Sequence, residues 1–217
     1  MRTIIITIAM IIASASSVFS QIRFDVIAGI SPGSAPASAG LIVNRHLPHE
    51  EFVFNMNKVD PQFYAGVKGY VELAAPFYME AGLTYTKRKS TYDIVYTIVD
   101  REHPVSNHLM SETEHMIMLP VNIGVNLGAF DVTSGLRLIQ SIKSDTDLDQ
   151  LTGFSAESKP IRIGWQASAG FSFLRERIGL EYQGNFSRVG SGMYVNGQSM
   201  ELMNVPGQLV LTLQHSF

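Results

Sequence analysis

Two stretches carry the residue types best suited to chemistry. "RHLPHEEF" (45–52) holds His46, His49, Glu50 and Glu51, and "REHPVSNHLMSETEH" (101–115) holds His103, His108, His115, Glu112 and Glu114. The chain has no cysteine, so imidazole and carboxylate are the only strong zinc ligands it offers. Neither stretch has the His-Glu-x-x-His spacing that sets two imidazoles on one helical face. Solvated loop residues are the expectation there, with no metal and no cofactor. Ser106 or Ser111, together with His108 and Asp100, supplies the members of a nucleophile triad. Composition alone cannot orient a base toward a hydroxyl, and no catalytic residue is assigned.

A second set of reactive groups has a clearer pattern. Arg23, Asp25, Lys68, Glu72, Glu80, Arg88, Arg137, Arg162 and Glu181 each sit at a polar position of a segment in which apolar and polar residues alternate. A period of two places such residues on one face of a strand. Five positive and four negative charges on an enclosed face would form an ion-paired network, filled out by Tyr64, Tyr70, Tyr78 and Gln166. Charges held in that way are more often structural pairs than an ion path.

The strands that would carry them are legible. From Ile161 to Phe173 every odd position is apolar and every even one is polar, charged or glycine, a long run for a strand in a water-soluble protein. Similar alternation predicts eight strands, at about 22–30, 60–73, 76–89, 113–127, 131–142, 160–173, 177–189 and 207–217. Their connections alternate between short (near Ala74-Ala75, Gly128–Phe130 and Leu174–Glu176) and long (31–59, 90–112, 143–159 and 190–206). Short turns at one end and long loops at the other describe an all-β, eight-stranded antiparallel transmembrane up-and-down β-barrel of the outer-membrane type. Such a barrel is just wide enough for its own side chains to fill, so no diffusive pore is expected.

A soluble eight-stranded barrel would alternate too, with its apolar face inward. Aromatic residues favour the opposite orientation. Phe24, Phe77, Phe173 and Phe217 fall at the turn-side strand ends, and Phe63, Tyr85 and Phe186 nearer the loop-side ends. Two bands at opposite ends are the girdles expected at two lipid–water interfaces. An even strand number sets both termini on one side, the periplasmic one.

The remaining sequence fits that frame. Residues 1–20 read as a secretory signal, with Arg2 before the apolar run Ile4–Ile12 and a small-residue site before Gln21, leaving 21–217 as one barrel domain. A net charge of -3 without any basic run argues against nucleic acid. "SPGSAPASAG" (31–40) reads as flexible loop. After it, 41–46 and 51–57 could form a hairpin above the membrane, or enter the wall and make ten strands. The end, "LVLTLQHSF" (209–217), puts Leu209, Leu211, Leu213 and Phe217 toward lipid and Val210, Thr212, Gln214 and Ser216 inward. It should pair with 22–30 to close the wall, and its terminal aromatic resembles the signal read by barrel-assembly machinery.

From about residue 60 the chain resembles the PorT-like small outer-membrane β-barrel proteins of the Bacteroidota. The resemblance rests on "FYAGVKGYVELAAPFYMEAGLTYTKR" (63–88), "EHMIMLPVNIGVNLG" (114–128), "GWQASAGFSF" (164–173), "IGLEYQGNFSRVGSG" (178–192) and the last strand. It implies an outer-membrane barrel, in one branch tied to protein secretion, and carries no catalytic set. The expected role is a binding or accessory component contacting membrane lipid and a protein partner. The alternative is an outer-membrane enzyme acting on lipid or peptide at the loop rim.

Overall fold

A computed structural model describes residues 22–33, 37–43, 50–98, 106–150, 154–156, 161–186, 193–195, 198–199 and 207–217. The expected leader and the tips of the long connections, with His46, His49, Asp100 and His103, lie outside the described residues.

The chain is all-β. Its strands are β1 (Ile22–Ser31), β2 (Ala37–Val43), β3 (Glu50–Val59), β4 (Gln62–Glu72), β5 (Phe77–Ile98), β6 (Ser106–Leu127), β7 (Phe130–Thr146), β8 (Phe154–Ala156), β9 (Arg162–Phe173), β10 (Glu176–Asn185), β11 (Met193–Val195), β12 (Gln198–Ser199) and β13 (Gln208–Ser216), with a 3-10 turn at Asp147–Gln150. One antiparallel sheet closes on itself in the order β1-β4-β5-β6-β7-β9-β10-β13 and back to β1. Each of the eight strands expected from alternation corresponds to one strand of this ring. The closing seam sets Val26 opposite His215 and Ala28 opposite Leu213. Closure gives each ring strand a partner on both sides, which removes the exposed edges of an open sheet.

The ring is not a regular barrel, and here the structure corrects the expected loop boundaries. β5 and β6 have 22 residues each and run on past their neighbours at the loop end. β4 pairs with β5 as far as Lys87, and β3 takes over from Ser90. Between them Pro61, which lacks an N–H, interrupts the line, while Asp60 N donates to Lys89 O at 2.9 Å. β2 pairs with β3. Residues 31–59 and 90–112, expected as loops, are therefore largely strand, and the sheet counts ten strands. Yet β2 and β3 add height on one flank and no width to the ring, which stays at eight. The stretch Ser90–Ile98 is rich in Thr, Tyr, Ile and Val, residues that suit a pleated surface. That composition outweighs its polar content. The connections expected at 143–159 and 190–206 contribute a separate small sheet, β12-β11-β8.

Three tight turns close the opposite end. Phe77 N donates to Ala74 O at 2.7 Å. Gly128 takes φ 87° while its N–H meets Asn126 Oδ1 at 2.9 Å, and Leu174 adopts φ 56°, a left-handed conformation that costs a residue with a Cβ.

Alternation now acquires a direction. Residues of one parity turn into the ring and are buried, including Asp25, Lys68, Glu80, Asn122, Arg137, Gln166, Glu181 and Gln214; those of the other parity are exposed and mostly apolar. Among the described residues one apolar cluster inside brings together Tyr64, Met116, Met118, Ile139 and Val210.

Candidate functional site

The interior of the ring is built in three tiers. Nearest the loop end, Glu114 of β6 lies between two guanidinium groups, in direct contact with Arg88 of β5 and 3.3 Å from Arg162 Nη2 of β9. Glu112, one inward position earlier, accepts from Tyr92 Oη at 2.9 Å and from Ser144 Oγ at 2.8 Å. A carboxylate so deep needs these partners, because an unpaired buried charge is far costlier than a paired one.

In the middle tier Lys68 Nζ stands 3.0 Å from Glu80 Oε1 and 3.9 Å from Glu181 Oε2. Asn122 Nδ2 donates to Glu80. Among the described residues no carboxylate is in direct reach of Arg137. Its guanidinium donates to the oxygens of Gln183, Gly184 and Asn185, and Gln183 in turn donates to Glu181. Gln183 thus links the arginine to the acid. The void left in this tier is about 20 Å³, bordered by Lys68, Tyr64, Glu181 and Val210. That is room for about one water molecule, so the ring is plugged at mid-height.

The turn-end tier is different. Arg177 of β10 meets Asp131 of β7 through two nitrogens, Nε at 2.7 Å and Nη2 at 2.5 Å, and Tyr78 Oη donates to the same carboxylate at 3.2 Å. Tyr70 Oη donates to Gln214. Beyond this floor a cavity of about 450 Å³ opens at the turn end, with Arg23, Tyr70, Glu72, Tyr78 and Arg177 in its wall.

Glycine makes the long inward side chains possible. A Cβ on Gly170 or Gly179 would collide with the Arg177 guanidinium, one on Gly164 with Arg137, and one on Gly124 with the Tyr78 ring. Each of these glycines occupies an inward position beside a large residue of a neighbouring strand or of its own. Large and small therefore alternate around the circumference, as filling a narrow barrel requires.

Of the charged residues singled out from the sequence, Asp25, Lys68, Glu80, Arg137 and Glu181 are buried inside, and Arg88 and Arg162 nearly so. Arg23 and Glu72 are exposed at the turn-end mouth; they lie at strand ends where the wall no longer encloses them. Arg23 Nε is 3.4 Å from Asp25 Oδ1, and its guanidinium stacks 4.9 Å from the Tyr70 ring centre. Sequence reasoning missed Asp131, Arg177, Glu112, Glu114, Asn122 and Gln183 as interior groups. Asp131 and Arg177 already had the inward parity, one residue from a turn.

The aromatic residues expected in two bands, Phe24, Phe63, Phe77, Tyr85, Phe173, Phe186 and Phe217, all point outward and are exposed. Trp165 packs against Tyr182 at 5.3 Å on the same outer side. Among the described residues the histidine-acid grouping does not assemble: strand parity sends Glu112 and Glu114 inward and His115 outward, where its Nδ1 lies 2.6 Å from Tyr85 Oη. The side chain of His108 is outside the described ones. Ser111 is engaged with Asp147, donating from Oγ at 2.6 Å and from N at 3.1 Å. Those donors hold the Asp147 carboxyl below the usual carboxylate range. Asp60 is lowered likewise, first by its bond to Lys58, 2.8 Å away.

The chain matches none of the protein-family models, and none of the curated proteins, with which it was compared.

Proposed function

We propose that the chain is an integral outer-membrane β-barrel with a side-chain-filled interior, acting as a binding or accessory component of a membrane assembly. One observation carries the reading: every strand of the ring exposes large apolar residues. They include Val26 and Ile30 of β1, Val67 of β4, Leu83 of β5, Val121 and Ile123 of β6, Leu136 and Leu138 of β7, Ile163 of β9, Leu180 of β10 and Leu211 of β13. Proteins dissolved in water rarely expose an apolar patch beyond a few hundred square ångström, and an encircling band with paired charges inside suits hydrocarbon outside. Strands of 9 to 12 residues, such as β13 and β9, span about 25 Å when tilted as in such barrels.

On this reading the turn end faces the periplasm with both termini, and the tall flank of β2, β3, β5 and β6 stands on the outer side as a pedestal for the loops. The mid-height plug favours display over transport. A PorT-like secretion accessory is the specific form we favour, on the stretches cited for the resemblance.

The membrane assignment is tested by Leu136→Arg. At the middle of the outer wall it should cost about 2–4 kcal/mol in lipid, seen as loss of heat-modifiable, membrane-inserted protein. A full yield of inserted variant counts against it. Cross-linking in intact cells tests the accessory role: a stoichiometric protein partner is expected, and a barrel recovered alone each time speaks against it.

A further inference from the structure

The outer wall carries a row of polar donors at the height of its loop-side aromatic band. Strand register sets Phe63 of β4, Lys87 of β5, His115 of β6 and Lys143 of β7 opposite one another in turn. Phe63, Lys87 and Lys143 are exposed. Lys143 owes its place to a register shift beside His115, where Ser141 is opposite Met116 and Ile142 is the extra residue. A bulge of this kind re-aims the side chains beyond it. Without it Lys143 would share the inward parity of Arg137 and Ile139. With it Ser144 turns inward to Glu112, and Lys143 turns outward beside His115.

Charge and height together point to what the row holds. Lys87 has no hydrogen-bond or ion-pair partner among the described residues. Lys143 has Asp145 at 2.9 Å, and Lys89, further out, already shares the field of Asp60 and Asp147. His115 Nδ1 meets Tyr85 Oη at 2.6 Å; a hydroxyl donating there leaves the ring proton on Nε2 as a further donor. Two lysines flanking one imidazole crowd positive charge on neighbouring strands, which an anion offsets. The ten residues from Phe77 to Lys87, at about 3.3 Å each and a tilt of about 40°, raise the lysine about 25 Å above the turn-side band. That is the height of an apolar belt, and directly below the row the wall exposes Leu83, Leu119 and Leu138. An acidic peptide would meet the cations alone, whereas a lipid phosphate with its acyl chains meets both surfaces. We propose that the row binds the phosphate of an anionic membrane lipid, held by Lys87, His115 and Lys143 with the acyl chains along Leu83, Leu119 and Leu138. The proposal rests on the membrane reading and gives it a headgroup-selective site.

Native mass spectrometry tests it on the full chain in neutral detergent, offered equal amounts of dioleoylphosphatidic acid and dioleoylphosphatidylcholine. Phosphatidic acid should be retained in preference by roughly tenfold. Lys87→Gln combined with Lys143→Gln should bring the ratio close to one. Arg175→Gln, at an exposed position of a turn-end connection, should leave the preference unchanged. Heat-modifiable gel mobility in phosphatidylcholine vesicles shows that the variants fold and separately reports insertion. A barrel that inserts but shows no preference overturns the proposal and leaves the membrane reading standing; a chain that fails to insert overturns both. An equal loss of preference in Arg175→Gln, or release of the lipid by equimolar inorganic phosphate or hexaglutamate, also overturns it.

Discussion

The two ends of the ring interior solve the same problem in opposite ways. At the loop end one carboxylate, Glu114, serves two guanidinium groups, and Glu112 is closed off by Tyr92 and Ser144. At the turn end one arginine and one aspartate satisfy each other, and the space outside them stays open. Long strands supply the loop end with more inward positions than the short turns leave at the other. The difference teaches that wall height, more than residue type, decides where an eight-strand ring is filled and where a cavity remains.

The comparison is broken most severely at Glu114. Glu114→Ala strands two largely buried arginines, and urea unfolding of the micelle-bound protein should register a loss of about 3 kcal/mol. Asp131→Asn should cost less, about 2 kcal/mol, since Arg177 keeps Ser168 and lies beside the open vestibule. If the turn-end variant proves the more damaging, the contrast between the ends fails. Leu174→Gly should sharpen it by a gain of about 0.5 kcal/mol, relief of the left-handed conformation outweighing the entropy of glycine. Thermal unfolding should shift upward accordingly.

The smallest effect concerns Asp147. Its lowered native carboxyl contributes stability that is present above the unfolded value of about 3.9 and fades as pH falls through the folded value. Ser111→Ala should raise that carboxyl toward the ordinary range, measured by carbon NMR titration, and so reduce the acid-side dependence. An unchanged titration would mean that the backbone N–H of Ser111 alone suffices.

Much of this architecture was readable beforehand. Strict alternation at Ile161–Phe173 located β9, and the parity of Leu209–Phe217 assigned the inward residues Val210, Thr212 and Gln214, all buried in the structure. Lys68, Glu80, Arg137 and Glu181 were read as one polar face for the same reason. The expectation of solvated loop residues failed at Glu112 and Glu114, which are buried, because strand parity separates neighbours: Glu114 and His115 are adjacent in sequence and on opposite sides of the wall. The extension of β5 and β6 was hidden because polar residues in a strand look like polar residues in a loop.

What the sequence determined by itself is local: a period of two, turn residues at three sites, and which side chains share a face. Those follow from the geometry of a single extended chain. Which face is enclosed, that Arg137 reaches Glu181 only through Gln183, that glycines on one strand admit arginines from another, and that a vestibule survives at the turn end were decided by closure. Each depends on the register between strands far apart in the chain, and only the hydrogen-bonded ring sets that register.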